Sequence, residues 1–507
     1  MNVATNPFQL RVWMFLLTCA GIAAFAMDGC VASPKISSGA HQATGIKISE
    51  PTATTVSIWT RATRDARRAA DDRPLPILHV FDKTNGKELA IKDNAIFTNG
   101  RPVVEFAPGS DFGSIRGAVV GAAGQTRVRY RIAGNASWEE TAWQEVNPKR
   151  DFTAVFQLSD LQPGTRYEIE VEARKNSDAT AGSTVSGGFV TAPAPAADAS
   201  VKFCVMTCQQ YEDRDSPDGF KIYPSMLKLA PDFFVNTGDA VYYDHGPVHA
   251  LNLDLARYHW ARMFSFPTLR DFHRHVGSYF QKDDHDTLTD DSHPGDRTGD
   301  FTFDDGLRVY QEQTAQSRPP YRTIRWGKHL QIWLLEGRET RSTREADRTN
   351  TPTILGAEQI AWLERTLAES DATFRIVITP TPILGPDRDA KNDNLSNAGY
   401  SVEGAMIRDL FDRQKNLTVI TGDRHWQYVS HDKSNHIEEW SVGAASDAHA
   451  AGWDEDQPRP EHLFLRIKHG GFLSGEIKTN AANPTLTLQL HDVNGGVVFE
   501  KTKAVAK

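Results

Sequence analysis

The tripeptide Thr-Gly-Asp occurs twice, at 237–239 and 421–423, each time closing a compact apolar run: DFFVNTGD (232–239) and LTVITGD (417–423). Such runs read as buried strands of an α/β sheet, where ligands gather beyond the carboxyl ends of the strands. A carboxylate delivered there after a glycine, which has no side chain to obstruct, is well placed to bind a metal. Other donor types collect around the two aspartates. Cys208 ends the run VKFCVMTC (201–208), Tyr242 follows Asp239, Asp-Asp-His-Asp occupies 283–286, and His425 follows Asp423. Thiolate, phenolate, imidazole and carboxylates from separate strand ends point to one dinuclear site. Hard oxygen donors suit Ca²⁺, Mg²⁺ or Fe³⁺, whereas thiolate and imidazole favour a transition metal.

Each piece alone also has a plainer reading. A Gly-Asp after a strand is often a turn. Asp283 and Asp284 fit a solvated acidic loop, because residues 283–306 are rich in Asp, Gly and Pro and read as a long surface loop. His285 would then be a local cap, and Tyr242 and Tyr243 core aromatics. Trp440, Ser441 and the histidines at 431, 436 and 449 either line the site or sit nearby, and His245 and His249 read as part of a solvated loop. A Cys204–Cys208 disulfide is disfavoured, since four residues of continuous strand span about 13 Å. Cys204 reads as a small buried hydrophobe.

The elements that must position these groups fall into two grammars. Residues 41–195 alternate as half-buried strands do, in VSIWTR (56–61), RVRYRIAG (127–134) and RYEIEVEARK (166–175), with a Pro-Gly turn at 163–164. This predicts an all-β sandwich of short antiparallel strands. The stretch from 64 to 126 resists assignment. TAPAPAADAS (191–200) reads as a linker and places a domain boundary there. Beyond it, HLQIWLLEG (329–337) and FRIVITPTP (374–382) join the runs named above as α/β strands. AEQIAWLERTL (357–367) puts Ile360, Leu363 and Leu367 on one helical face, and Val402, Ala405, Met406 and Leu410 repeat the pattern. Leu486, Leu488 and Leu490, then VVF at 497–499, return to strand alternation.

The chain has 507 residues, 39% of them hydrophobic, a net charge of -9 and 4 cysteines. That length suits two or three domains with real cores. The acidic balance excludes a general nucleic-acid binder, and so few cysteines exclude a disulfide scaffold. VWMFLLTCAGIAAFA (12–26) is short for a membrane-spanning helix, which needs roughly 20 residues. It suits a secretory signal over 1–26 with Ala24-Phe25-Ala26 as the cleavage site, an uncleaved anchor being the alternative. The mature chain is then exported, periplasmic or extracellular, with no further membrane span and with Cys30 a possible lipid-anchor site.

Five segments taken together resemble the alkaline phosphatase D (PhoD-like) family of calcineurin-like metallophosphatases. They are CQQY (208–211), PDFFVNTGDAVYYD (231–244), SFPTLRDFHRHVGSYFQKDDHD (265–286), LGAEQIAWLERTL (355–367) and VITGDRHWQ (419–427), in the family's order. LQPGTRYEIEVEA (161–173) resembles the fibronectin type III signature. The resemblance implies a fibronectin III or Ig-like sandwich at 41–195 and an αββα metallophosphatase domain at 201–507. It also implies a ferric iron held by Cys208, Asp239, Tyr242 and His425. A calcium, or another divalent metal, would be held by Asp239, Asp284 and Asp423. His285 would stand beside the leaving group and Arg338 at the phosphate. Three departures are visible: Asp286 for a glutamate, Arg424 for a small apolar residue, and EGR (336–338) for Asp-x-Arg. The expected activity is two-metal hydrolysis of a phosphoester. A phosphodiesterase on the same centre is a second reading, and a secreted binding protein with an inactive domain is a third.

Overall fold

The structure is a computed structural model. It describes residues 40–91, 100–246, 248–316, 318–342, 352–389, 391–432, 434, 436–453, 458–479 and 483–505. The expected leader (1–26) and Cys30 lie outside the described residues. Among them, no helix is long and apolar enough to cross a membrane.

Strand after strand in the chain is apolar on both faces, and the sheet topology explains why. The strands Val201–Met206, Phe233–Asn236 and Gly277–Phe280 run parallel at the centre of a nine-stranded sheet. Leu330–Leu334, Phe374–Thr379, Leu417–Thr421 and Glu438–Val442 run parallel in a seven-stranded one. Phe203, Val205, Phe233 and Val235 share a core with Ile332, Ile376, Ile378 and Ile420, so the two sheets pack face to face. The alternate residues Cys204, Met206 and Phe234 instead pack under Ile222–Lys228, Leu253–Phe264, Pro267–His273 and Phe303–Thr314. Trp333, Val377 and Val419 of the second sheet pack under Gly356–Glu369 and Ser401–Asp412. A period of two with both sides buried leaves no polar position, hence the continuous apolar runs. The result is a helix–sheet–sheet–helix sandwich.

The N-terminal strands are β-rich as expected, but they are not set apart. Ile46–Ser49, Val56–Arg61 and Thr153–Leu158 extend the nine-stranded sheet, with Ile46–Ser49 lying parallel to Gly277–Phe280. Val56–Arg61 is therefore buried along its whole length, where half-burial was expected. Gln125–Ile132, Arg166–Arg174 and Ser183–Val190 form a separate sheet whose inner face shares a core with those three strands. Within 64–126, which resisted assignment, Ile77–Asp82 and Gly100–Glu105 pair antiparallel.

Two further expectations are corrected. Residues 283–306 are not a surface loop: Asp283 to Leu288 are buried, and Phe303–Thr314 is a helix opened by a Thr302/Asp305 capping box. In Ser401–Asp412 the buried face is Glu403, Ile407, Leu410 and Phe411, whereas Val402 is 67% and Met406 46% exposed. The helix is rotated so that the Glu403 carboxylate, a polar group the apolar periodicity ignores, accepts from the N–H groups of Ile354 and Leu355. Gly356–Glu369 buries Leu363 and Leu367 as expected.

Candidate metal centre

Four strands from the two facing sheets deliver their carboxyl ends to one place. Cys208 follows Val201–Met206, Asp239 follows Phe233–Asn236, Asp283 to Asp286 follow Gly277–Phe280, and Asp423 follows Leu417–Thr421. Cys208, Asp239 and Asp423 all adopt left-handed backbone, with φ of 52°, 54° and 60°. For residues that are not glycine this costs roughly 1–3 kcal/mol each, and it persists where the surroundings enforce it. Here it ends each strand abruptly and turns the side chain into the cleft.

Cys208 Sγ lies 3.4 Å from Asp239 Oδ2, and Tyr242 Oη donates to the same oxygen at 3.1 Å. Tyr242 Oη is also 3.4 Å from His425 Nε2. One ligand atom each from Cys208, Asp239 and His425 falls within 4.8 Å of the others, and so does one each from Asp239, Asp284 and His285. Asp239 thus belongs to both groups, as a bridge requires. Asp423 joins neither: its Oδ2 is 2.5 Å from Arg424 Nη2. Arg338 is not turned to an open cleft either. Its Nε donates to Asp283 Oδ1 at 2.5 Å and its Nη2 stands 3.4 Å from Asp284 Oδ2, with both Arg338 and Asp283 at 1% exposure.

The electrostatics fit bound cations. Burial pushes the Cys208 thiol far above its usual range, and Asp239 and Asp423 push it further. Burial likewise lifts the Asp239 carboxyl; His285 opposes this and Asp284, Asp283 and Asp286 add to it. Burial, with Asp239 and Cys208 adding, raises the Tyr242 phenol. Burial, with His449 adding, holds the His425 imidazole well below its usual range. Asp239 Oδ1 is buried with no hydrogen-bond donor. Such a group of acids is tolerable only if it keeps its protons or if cations replace them. The donor set is mixed, soft at Cys208 and His425 and hard at Asp239, Tyr242 and Asp284.

Several partners were not legible from spacing. Asp244 Oδ1 lies 2.6 Å from His285 Nδ1 and 3.0 Å from His245 Nδ1. For His285, burial alone would depress the imidazole; Asp244, Asp284 and Asp239 outweigh it and hold it well above the usual range. His449 Nε2 is 2.8 Å from Tyr242 Oη while its Nδ1 donates to Asp213 at 2.9 Å. His449, one of the histidines expected to line the site or sit nearby, is thus in contact with Tyr242, while nothing in the spacing marks Asp213 and Asp244 at least closes the segment that carries Asp239. Trp440 lies in the core between the sheets, and Ser441 donates to the carbonyl of Trp426, so neither lines the site. His245 is half-buried and His249 buried, in place of the expected solvated loop.

A family model described as PhoD-like phosphatase matches residues 203–454. The structure of PhoD is similar with a TM-score of 0.68 at 16% identity, covering 94% of each chain. Purple acid phosphatase PPD1 from yellow lupin (Lupinus luteus) seeds is similar with a TM-score of 0.54 at 12% identity, covering 90% of this chain and 73% of that one. At these identities the structural likeness carries the fold. No curated protein matches the sequence.

Proposed function

Since the chain belongs to the PhoD-like phosphatase family and is a metal-dependent hydrolase of phosphoric esters, we propose that it works through a dinuclear centre. Cys208, Asp239, Tyr242 and His425 would hold the first cation and Asp239, Asp284 and Asp423 the second. The observation that carries this reading is the membership of Asp239 in both ligand groups, with one carboxylate oxygen buried and unbonded. Cations bound there supply Lewis-acid activation of water and of the ester. Iron and calcium are the pair proposed, from the resemblance to the PhoD-like family, with another divalent metal as the alternative.

The chain's own residues supply the proton and the positioning. His285 presents its Nδ1–H to Asp244, which leaves Nε2 for the leaving oxygen. As the water oxygen bonds to phosphorus and the ester P–O bond breaks, His285 gives its proton to the departing alkoxide. Such general-acid help is typically worth about 10²–10⁴ in rate. Arg338, committed to Asp283 and Asp284, is proposed to hold that segment in place rather than to grip phosphate.

Asp239→Ala should lose both metal and hydrolysis; near-wild-type activity in that variant rules the bridge out. Iron bound to Tyr242 should colour the protein by charge transfer, and a colourless, iron-free, fully active preparation points to another metal pair. Phosphodiester turnover is the second reading, decided by comparing mono- and diester chromogenic substrates. The N-terminal strands are proposed to be a fibronectin III-like sandwich. Export through the leader at 1–26 is proposed too, and the N-terminus of secreted protein tests it.

A further inference from the structure

Asp239 and Asp423 close identical tripeptides, yet their carboxylates stand in different company. Asp239 has ligand atoms of Cys208 and His425 on one side and of Asp284 and His285 on the other. Asp423 instead faces Arg424, whose Nη2 lies 2.5 Å from its Oδ2 as an ion pair, with no hydrogen bond made to that oxygen. That same Nη2 is 2.9 Å from Asp393 Oδ2 and 3.4 Å from Asp387 Oδ2. Arg424 is 1% exposed, and its guanidinium lies 5.9 Å from the centroid of the Trp426 ring. Packed so, it has no route to solvent by a rotamer change. A guanidinium keeps its charge at any pH a protein meets. A fixed cation therefore already stands beside the carboxylate that the second metal would use, and two further carboxylates share that cation.

We propose that Arg424 is a built-in competitor of the second cation, lodged beside Asp423 while Asp393 and Asp387 share its charge. This inference rests on the two-cation reading above. A metal drawing on Asp423 must share it with a like charge a few ångströms away in a water-poor site, where screening is weak. At the first site, built on Cys208, Asp239, Tyr242 and His425, no Arg or Lys among the described residues pairs with the Asp239 carboxylate, whose cationic neighbour is the His285 imidazole. The centre is thus asymmetric in affinity: a tightly held first cation and a second that exchanges with the ions outside.

A purely structural role for Arg424, that of orienting Asp423 for the metal, predicts the opposite sign. Calorimetric titration of Ca²⁺ into protein that carries its first cation distinguishes the two. Arg424→Ala should bind Ca²⁺ at least tenfold more tightly than wild type. Asp393→Asn should bind it more weakly, because the guanidinium, relieved of one partner, settles more fully on Asp423. Elemental analysis should show the first cation unchanged in both. Equal or weaker Ca²⁺ binding in Arg424→Ala overturns the proposal. Should that variant fail to fold, equal or tighter binding in Asp393→Asn overturns it as well. A single bound cation in wild type and both variants overturns the two-cation reading itself, and this inference with it.

Discussion

Asp286 accepts three backbone N–H groups at once, from Asp239 at 2.6 Å and from Val241 and Asp283 at 3.1 Å. One carboxylate therefore fixes the backbone on either side of Asp239 and at the head of the segment 283–286. In Asp286→Ala these donors lose their acceptor in a buried place, at about 1–3 kcal/mol for each one left unpaired. Thermal unfolding should show a clear drop in stability together with reduced metal content; a melting curve like wild type's contradicts this role. The partner of His285 has a different signature. Asp244 is among the groups that raise the imidazole, so Asp244→Asn should lower it. Activity that needs the protonated ring is lost as pH rises through its pKa. The alkaline limb of kcat in Asp244→Asn should therefore move to lower pH, and an unmoved limb would remove Asp244 from the proton path.

At the scale of elements, the two Thr-Gly-Asp turns touch each other across the sheets. A Cβ added at Gly422 would lie 2.3 Å from Thr237 Oγ1 and 2.7 Å from Thr207 Oγ1. At Gly238, with φ of 116°, it would lie 2.6 Å from Asp283 Cβ. These glycines let four strand ends close on one another; their value is the close approach itself. Gly422→Ala must push the two sheets' ends apart, and a misplacement near 1 Å can cost about 10²-fold in rate. Metal content and kcat should fall together while far-UV circular dichroism stays that of the folded chain. Full activity would show that the sheets can part without harm. The strands and the helix Gly356–Glu369 were legible because burial repeats at their own periods. The face of Ser401–Asp412 was not, because Glu403 is buried for hydrogen bonds that no hydropathy pattern encodes.

At the scale of the whole molecule, the N-terminal strands cap part of the catalytic half. Lys47 Nζ donates to the carbonyl of Gln313 at 2.7 Å, Trp59 Nε1 to that of Glu312 at 2.7 Å, and Ser49 Oγ to that of Thr314 at 3.1 Å. The end of the helix Phe303–Thr314 would otherwise leave these acceptors unpaired in the interior. Ile46–Ser49 also covers the edge of Gly277–Phe280, the strand that leads into Asp283 to Asp286. Residues 201–507 produced alone should therefore expose an unpaired sheet edge and aggregate, or fail to take up metal. A soluble, metal-bound monomer of that segment would refute this.

The sequence by itself determined the strands, their polar ends and the donor types those ends carry, because strand and helix periods and strand-end turns are local properties of the chain. It therefore offered Cys208, Asp239, Tyr242, Asp284, His285, Asp423 and His425 as candidate donors. What only the tertiary structure decided is how those ends face residues distant in the chain. It set His449 between Asp213 and Tyr242, turned Arg338 onto Asp283, and gave Asp423 to Arg424. It also laid the first strands against the catalytic sheet. These pairings follow from the packing of one sheet on another, and spacing along the chain carries no record of that distance.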